Sequence, residues 1–374
     1  MKDDFVKILQ KKPSASGYSC EASFARILRS ILPAASCSTS FVRILLYICP
    51  VSALSQIQAP VEGEMNAFES FFKEQMKSEH RLLDKVTNYI VKRKGKQMRP
   101  LFVFLSAKLF EKPEEPTFVA ATMIELLHTA TLVHDDVVDD AQMRRGFFSI
   151  NALWKNKIAV LVGDYLLSRG LSLSVKTNQF RLLGIMSKAV KDMAEGELLQ
   201  QEKSRKLDIT EEVYYDIIRQ KTASLISACC ESGAASTSAT DEQVKQLALF
   251  GEYVGMAFQI KDDLFDYGTT DAIGKPVGID IQERKLTLPL IHVLGKVDRD
   301  TAKKLIRTVR KHNTDKEKVE ELMAQVVKLG GITYATEKMF EFRDKAMEIL
   351  NQFEDSPARE SLKLLVNYTI ERKK

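Results

Sequence analysis

The stretch HDDVVDD at residues 134–140 ends a long apolar run that contains neither proline nor glycine. Such an uninterrupted run predicts a buried helix. Residues four apart share one face of a helix, so we expect Asp135 and Asp139 to point the same way, and likewise Asp136 and Asp140. Carboxylates this close repel one another and require a compensating cation, and clustered carboxylate oxygens are typical ligands of Mg²⁺.

A lone acidic cluster is more often a solvated surface than a metal site. Here KDDLFD at residues 261–266 repeats the DDxxD spacing at the end of a second apolar helical run, residues 247–260. Two carboxylate clusters at the ends of two core helices predict a cavity in which several Mg²⁺ ions hold a diphosphate. The expected metal ligands are Asp135, Asp136, Asp139, Asp262, Asp263 and Asp266.

The paired motifs, the Arg144-Arg145 pair after the first and GKPVGID (residues 274–280) after the second resemble the trans-isoprenyl diphosphate synthases. The closest resemblance is to bacterial long-chain polyprenyl diphosphate synthases of the octaprenyl or solanesyl type, and it spans about residues 53–374. It implies an all-α bundle of the isoprenoid synthase type around a central cavity. It also implies a homodimeric prenyltransferase that uses Mg²⁺, or Mn²⁺, to add isopentenyl diphosphate to an allylic diphosphate.

The basic motif GKQMRP at residues 95–100 places two cations where a helix begins, a position that favours anions. The resemblance assigns the diphosphate of isopentenyl diphosphate to Lys96, Arg99, His128 and Arg145. It assigns the allylic diphosphate and the reacting carbons to Arg144, Lys221, Thr222, Gln259, Lys275 and Lys285. The residues expected to act in catalysis are Asp135, Asp136, Asp139, Lys221 and Asp262. Each of these groups also has an ordinary structural explanation. Lys96 and Arg99 could lie in a solvated basic loop, and His128 could be a core residue. The Thr222 hydroxyl could bond back to its own helix.

Product length is predicted from the helix that ends in the first cluster. Ala130 lies five residues before Asp135, about 7.5 Å back along the axis. A bulky aromatic residue there would stop chain growth early, but Ala130 and Thr131 are small, and Leu126 and Leu127 lie about a turn deeper. We therefore expect a long product, about C35 to C50 by analogy with the family. The alternative is that Ala130 merely packs closely against a neighbouring helix.

Composition excludes several classes of protein. The formal net charge of +5 over 374 residues is mild, and we expect it to be spread along the chain, unlike the concentrated basic face of a nucleic-acid-binding protein. No apolar segment reaches the roughly 18 to 20 residues that span a bilayer. The five cysteines lack CxxC spacing, which predicts reduced thiols and no zinc site.

Residues 1–52 differ from the rest because they are rich in Ser, Ala and Arg and almost free of acidic residues between residues 11 and 60. They fit a weakly ordered extension, sequence upstream of a misassigned start, or a transit peptide. The first two are favoured, with residues 53–374 as the catalytic domain. The expected location is the bacterial cytoplasm, with transient membrane contact through the apolar product, or the mitochondrion if residues 1–52 are a transit peptide.

Hydrophobic periodicity predicts helices throughout the body and no strands. It runs through residues 64–92, and further helices are predicted at 117–140, 157–176, 181–203, 210–236, 241–267, 286–296, 299–312, 315–328, 332–352 and 357–371. Thr210 and Asp241 are the expected N-caps of two of them.

Four other functions fit parts of the pattern. A terpene cyclase shares the first motif but usually carries a different second metal motif, and a non-catalytic subunit of a heteromeric synthase typically lacks one cluster. A di-iron bundle would need Glu-x-x-His pairs, which the Asp clusters do not supply. A shorter-chain geranylgeranyl or farnesyl synthase shares all the motifs and differs in product length.

Overall fold

The structure is a computed structural model that describes residues 53–93, 95–144, 146–268 and 277–371. Residues from Ala53 onward form one folded unit. The described residues are almost entirely helical, which confirms the predicted all-α class. The predicted N-terminal extension, residues 1–52, lies outside the described residues, as do Arg145 and Lys275.

The helices follow one another along the chain with short connections. They are α1 (Ala53–Gln58), a 3₁₀ turn (Ala59–Val61), α2 (Glu62–Met76), α3 (Arg81–Lys92), α4 (Met98–Lys108), α5 (Glu115–Val138), α6 (Ile150–Lys176), α7 (Phe180–Lys206), α8 (Glu211–Ile218), a π-helical turn (Arg219–Ala223), α9 (Ser224–Ala235), α10 (Asp241–Phe265), α11 (Ile279–Gln282), α12 (Leu288–Lys296), α13 (Arg299–Lys311), α14 (Lys316–Lys328), α15 (Gly331–Leu350) and α16 (Pro357–Glu371).

The core lies around α4, α5, α9 and α10. Helix α4 is buried without a break from Pro100 to Ala107, which is the pattern of a helix surrounded by protein on every side. Helix α5 packs against α6, α9 packs against α10, and α10 also packs against α15. Both Asp motifs therefore stand at the C-terminal ends of core helices, as predicted.

Most predicted helices are confirmed to within a few residues, and two are interrupted, the one at residues 210–236 by the π-helical turn. The periodicity of residues 64–92 belongs to two helices, because α2 ends at Met76 and α3 starts at Arg81. Between them the backbone N–H of Ser78 donates to Asp84 Oδ1 (3.5 Å), and that of His80 donates to Ser78 Oγ (3.2 Å). Such local side-chain bonds compete with the helical backbone pattern and interrupt it.

One of the two predicted helix caps is confirmed. Thr210 caps α8, where its hydroxyl accepts the backbone N–H of Val213. The prediction for Asp241 is wrong, because the preceding Thr240 caps α10 and forms a capping box with Gln243. The box satisfies two otherwise unpaired N–H groups at once, which a cap at Asp241 would not do here.

A short hairpin follows the first Asp motif, so the expected absence of strands is wrong at this point. Strand β1 (Met143–Arg144) pairs antiparallel with β2 (Phe147–Phe148), and Gly146 turns the chain with a φ of 78°. Ser149 then caps α6, which starts earlier than predicted. Within α6, Lys155 has φ 74° and ψ 156°, a conformation that is accessible essentially to glycine alone.

Two helices meet the length and hydropathy of a membrane span, contrary to the expectation that no segment does. Both α5 and α6 are long and apolar enough to cross a bilayer by length and composition. The apolar window of α5 is 67% buried inside the protein, as in the core helix of a folded domain, whereas that of α6 is 33% buried.

Candidate active site

The first Asp motif stands at the C-terminus of α5, where the helix dipole disfavours negative charge and favours cations. Asp135 is exposed, whereas Asp136 is buried and accepts the Nε–H of Arg144 at its Oδ1 (2.6 Å). Asp139 lies just past the last turn, and Asp140 has left-handed backbone (φ 48°) and is exposed. The prediction that Asp136 and Asp140 share a face is therefore wrong, because the helix ends at Val138.

The surroundings of this motif raise its carboxyl pKa values. Desolvation raises the pKa of Asp135, and the positive charge of Lys221 opposes the shift while Glu197 adds to it. Desolvation also raises the pKa of Asp136 above its ordinary value, although Arg144 opposes the shift. These interactions place Lys221 and Glu197 within electrostatic reach of Asp135, and thus bring α7 and the π-helical turn to the end of α5.

Lys221 and Thr222 lie in the π-helical turn between α8 and α9, a distortion that often marks a functional site. The ammonium of Lys221 pairs with Glu197 and donates to Gln200 Oε1 (2.5 Å). The close approach depends on Gly196, since a Cβ there would lie 2.7 Å from the backbone nitrogen of Lys221. Sequence reasoning missed Glu197 and Gln200; the available signal was a glycine inside a long helix, which is unfavourable without a packing reason.

The second motif is organised by a chain of hydrogen bonds. Thr222 Oγ1 donates to Gln259 Oε1 (2.8 Å), and Gln259 Nε2 donates to Asp263 Oδ1 (2.8 Å). The hydroxyl of Tyr214 donates to the other oxygen of Asp263 (2.7 Å). Burial, reinforced by the nearby charge of Asp280, raises the pKa of Asp263 to about 7. Tyr214 is a further residue that sequence reasoning missed.

Asp266, the last carboxylate of this motif, holds the backbone that returns to the site. Its two oxygens accept the N–H groups of Ile279 (2.9 Å) and Asp280 (3.1 Å) at the start of α11. Burial, followed by the charge of Asp266, raises the pKa of Asp280 to about 6. Asp266 thus anchors the segment that leads on to Lys285.

Lys285 joins the same cavity as the second motif. Burial lowers its pKa, but hydrogen bonding to Glu283 and the charges of Asp280 and Glu197 outweigh this and raise the pKa. A cavity of about 100 Å³ is lined by polar and charged groups that include Lys221, Thr222, Gln259, Asp263 and Lys285. Five residues predicted from three separate parts of the sequence are thereby brought together.

The groups predicted to bind isopentenyl diphosphate are arranged less compactly. His128 is buried on α5 and lines a cavity of about 110 Å³ together with Asp136 and Arg144. Arg99 lies in the first turn of α4. Lys96 is exposed, and its ammonium donates to the hydroxyl of Tyr368 on α16 (2.9 Å). Neither Lys96 nor Arg99 lines the cavity that contains His128.

The residues predicted to set product length lie on one stripe of α5. Asp135, Thr131, Leu127 and Met123 follow one another at four-residue spacing, and Ala130 is fully buried beside them. Leu127 and Met123 line an apolar cavity of about 370 Å³ between α5, α6 and α7. By helical rise, these two residues lie about 12 and 18 Å from Asp135 along the axis.

The carboxylates differ in their fitness to bind a metal. Protein donors engage the carboxylates of Asp136, Asp263 and Asp266, whereas no hydrogen bond from a described residue reaches the carboxylate oxygens of Asp135 and Asp139. Among the described residues, no three potential ligands lie close enough to hold an ion by themselves. Carboxylates that accept no protein hydrogen bond can bind a hydrated cation such as Mg²⁺, which also binds waters and substrate phosphates.

Comparison with known proteins gives the same result as the site. The sequence profile of the polyprenyl synthetase family matches residues 80–326. Octaprenyl diphosphate synthase of Escherichia coli (strain K12) is 36% identical over 300 residues, which cover 80% of this chain and 93% of that protein.

Two crystal structures share the fold along most of the chain. That of a decaprenyl diphosphate synthase from Rhodobacter capsulatus has a TM-score of 0.81 at 36% identity and covers 86% of this chain and 99% of its own. That of a polyprenyl synthase from Caulobacter crescentus, complexed with calcium and isoprenyl diphosphate, has a TM-score of 0.78 at 31% identity and covers 86% and 98%. The chain therefore belongs to the polyprenyl synthetase family and is a prenyltransferase, as the paired Asp motifs predicted.

Proposed function

We propose that this protein is a long-chain all-trans-polyprenyl diphosphate synthase that adds isopentenyl diphosphate units to an allylic diphosphate. The observation that carries the proposal is the stripe Asp135–Thr131–Leu127–Met123, which leads from the first Asp motif into an apolar cavity of about 370 Å³. A polar head held at Asp135 would direct its hydrocarbon tail along this stripe.

Asp135, Asp139 and Asp262 are proposed to hold Mg²⁺, or Mn²⁺, together with the substrate diphosphate. The ions would supply positive charge that stabilises the departing diphosphate. Asp136, Asp263 and Asp266 are assigned a different part of the task, since their oxygens already accept hydrogen bonds from Arg144, Tyr214, Gln259 and the α11 backbone. They orient the side chains and backbone around the ligands.

The chain's own cations complete the allylic site. Lys221, fixed by Glu197 and Gln200, places an ammonium near Asp135, and Lys275 and Lys285 are proposed to add charge over the diphosphate. Thr222 and Gln259 form the polar wall beside it. Fixed charges in a site of low polarity stabilise developing negative charge more strongly than water does.

The reaction breaks the allylic C–O bond, and the electron pair leaves with the diphosphate. The double bond of isopentenyl diphosphate attacks the resulting allylic cation and forms the new C–C bond, and loss of a proton to the released diphosphate restores a double bond. Lys96, Arg99, His128 and Arg145 are proposed to hold isopentenyl diphosphate. The cavity must exclude water, because hydrolysis of the cation competes.

The depth of the apolar cavity supports a long product. Leu127 and Met123 border open space about 12 to 18 Å from Asp135, and the residue nearer the motif, Ala130, has a small side chain. We therefore propose a product of about C35 to C50 by analogy with the family, suited to a quinone side chain.

A product assay tests the proposal. The full-length protein is incubated with farnesyl diphosphate, isopentenyl diphosphate and Mg²⁺, with and without chelator, and the extracted products are sized by mass spectrometry. We expect a chelator-sensitive product of C35 or longer. A C15 or C20 product would assign a shorter-chain synthase, and no product from folded protein would favour a non-catalytic subunit of a heteromeric enzyme.

We also propose that the protein is a homodimer. Helices α6 and α7 expose several large apolar side chains, which need cover from water in a stable assembly: Leu153, Val160, Leu161, Leu171, Val175, Phe180 and Leu198. A dimer buried through these helices would explain why α6 is so apolar and yet only 33% buried in its apolar window. Light scattering after size exclusion measures the mass, and a monomer at micromolar concentration would exclude the dimer.

The proposed location is the bacterial cytoplasm, peripheral to the membrane. An apolar product of this length partitions into lipid, so the enzyme needs transient access to a bilayer. If residues 1–52 direct import, the location is the mitochondrion instead. Cell fractionation of the full-length protein distinguishes the two.

A further inference from the structure

Helix α13 is a short, strongly basic segment of the chain with a net charge of +5. It holds six basic residues and one acidic residue: Arg299, Lys303, Lys304, Arg307, Arg310 and Lys311, with Asp300. The chain has 55 basic and 50 acidic residues, so removing this helix leaves 49 of each and a net charge of zero. Other segments also carry net positive charge; residues 1–52, for example, hold seven basic and three acidic residues.

The six cations share one face of the helix. At about 100° per residue, they fall within an arc of about 140°, and Leu305 and Val309 lie buried on the opposite side. All six basic residues are exposed. Lys303 pairs with Asp300 (3.3 Å), and no other described carboxylate lies within ion-pair distance of the helix. Asp300 lies on the same face, so five of the six cations have no ion-pair partner among the described residues.

This basic face of α13 lies beside the active site. A guanidinium nitrogen of Arg310 donates to the backbone oxygen of Lys206 at the end of α7, the helix that carries Glu197 and Gln200. Just past α13, Asn313 Nδ2 donates to the backbone oxygen of Gln282 in α11 (2.5 Å), the helix whose start Asp266 caps. Lys206 and Gln282 do not themselves line the catalytic cavity, but their helices do, through Gln200 of α7 and Asp280 of α11.

We propose that the basic face of α13 docks the enzyme onto the surface of a bilayer that contains anionic lipids. The cations extend over about 18 Å, from Arg299 to Lys311, without a pocket or aromatic side chain on the face. Such an array matches a continuous anionic surface better than a single diphosphate or the bases of a nucleic acid. Clusters of four to eight basic residues on an amphipathic helix bind anionic lipid by this mechanism.

The purpose of the contact rests on the proposed function, because a long polyprenyl product must leave the cavity for lipid. Docking by α13 keeps the enzyme at the bilayer surface, into which the released product partitions. The docking itself needs no catalysis and is measured separately from it.

Vesicle flotation tests the proposal with the full-length protein. One set of vesicles is phosphatidylcholine alone, and the other contains about one third phosphatidylglycerol. We expect binding to the anionic vesicles only, weakened by salt because surface charges are screened. The triple variant Lys304→Gln/Arg307→Gln/Lys311→Gln should bind about a hundredfold more weakly, at about fivefold per cation.

The matched control is Lys73→Gln/Lys112→Gln/Lys245→Gln, which removes the same charge from exposed lysines on α2, the loop before α5 and α10. It should float like the unmodified protein, and the α13 variant should keep full activity without vesicles. Equal binding to neutral vesicles, equal loss in both variants, or retained binding in the α13 variant would overturn the proposal. A loss of kcat/KM without vesicles would assign α13 to substrate capture, and equally tight binding to duplex DNA would assign it to nucleic acid.

Discussion

Tyr214→Phe isolates the hydrogen-bond chain behind the second Asp motif. The substitution removes one hydroxyl, which donates to Asp263 Oδ2 (2.7 Å) in a fully buried position. A hydrogen bond to a charged group contributes about 1.5–3 kcal/mol, and Asp263 would keep only its bond from Gln259 (2.8 Å). We expect the free energy of unfolding of the metal-free protein to fall by about this amount at pH 8.

The stability lost in Tyr214→Phe should increase as the pH rises. Burial raises the pKa of Asp263 to about 7 in the folded protein, and the bond from Tyr214 opposes that rise. Without the hydroxyl the folded-state pKa rises further, so the carboxyl stays protonated to higher pH. A raised carboxyl pKa stabilises the fold at low pH, and this contribution disappears as the pH rises through the folded value. The deficit of the variant should therefore be larger at pH 8 than at pH 5.

Catalysis should decline as well, because Asp263 orients Gln259, which orients Thr222 beside Lys221. Loss of a residue that positions ligands typically lowers activity about 10- to 100-fold. The neighbouring Tyr215→Phe is the matched control. Its hydroxyl donates to Glu211 (3.0 Å), and Glu211 would keep the hydrogen bond that it accepts from the hydroxyl of Tyr334 (2.6 Å). We expect Tyr215→Phe to lower the free energy of unfolding by about 0.5–1.5 kcal/mol and to leave kcat unchanged.

Urea denaturation at both pH values and steady-state kinetics with both substrates measure these quantities. Equal stability losses in the two variants, or an unchanged kcat for Tyr214→Phe, would show that the chain of hydrogen bonds does not position the site.

Three further predictions follow from single residues. Ala130→Phe should shorten the product, because the ring fills space beside the Thr131–Leu127 stripe, and overpacking should lower the stability by about 1–3 kcal/mol. The product of a variant with a native circular dichroism spectrum is sized by mass spectrometry, and an unchanged length would contradict the prediction. Lys155→Gly should stabilise the protein by about 1 kcal/mol, because it relieves about 1–3 kcal/mol of backbone strain but adds the flexibility of glycine to the unfolded chain. Chemical denaturation measures the free energy of unfolding, and a less stable variant would show that Lys155 is not strained. Because burial raises the pKa of Asp280 to about 6, ionisation of its carboxyl should lower the stability of the metal-free protein by about 2 kcal/mol as the pH rises from 4 to 7. Asp280→Asn should therefore flatten the pH dependence of Tm, and an unchanged slope would assign that dependence to other groups.

The helices were predictable because their signals are local. Apolar periodicity placed α5 and α10 and their terminal Asp motifs to within a few residues, and Thr210 was identified as a cap from its own hydroxyl chemistry. Errors arose where a neighbouring residue offered better local chemistry: Thr240 with Gln243 displaced Asp241 as the cap, and Ser78 and Asp84 interrupted the helix expected through residues 64–92.

The sequence predicted which residues form the site but not which hydrogen-bond partner each of them has. Six carboxylates looked alike in the sequence, yet Arg144 and Tyr214 engage Asp136 and Asp263, and backbone N–H groups engage Asp266. Each of these donors except Arg144 is more than ten residues away along the chain, and no spacing rule predicts such partners. Glu197 was missed for the same reason, since its pairing with Lys221 depends on how α7 packs against the π-helical turn.

The sequence by itself determined the fold class, the two motifs and the chemistry that they support. Apolar periodicity and the carboxylate spacing are properties of residues a few positions apart, and they do not depend on how the helices pack. The tertiary structure alone decided which donors contact each carboxylate and where the apolar cavity lies. These depend on distances between segments far apart in sequence and on which side of each helix is buried, which packing of the whole core sets.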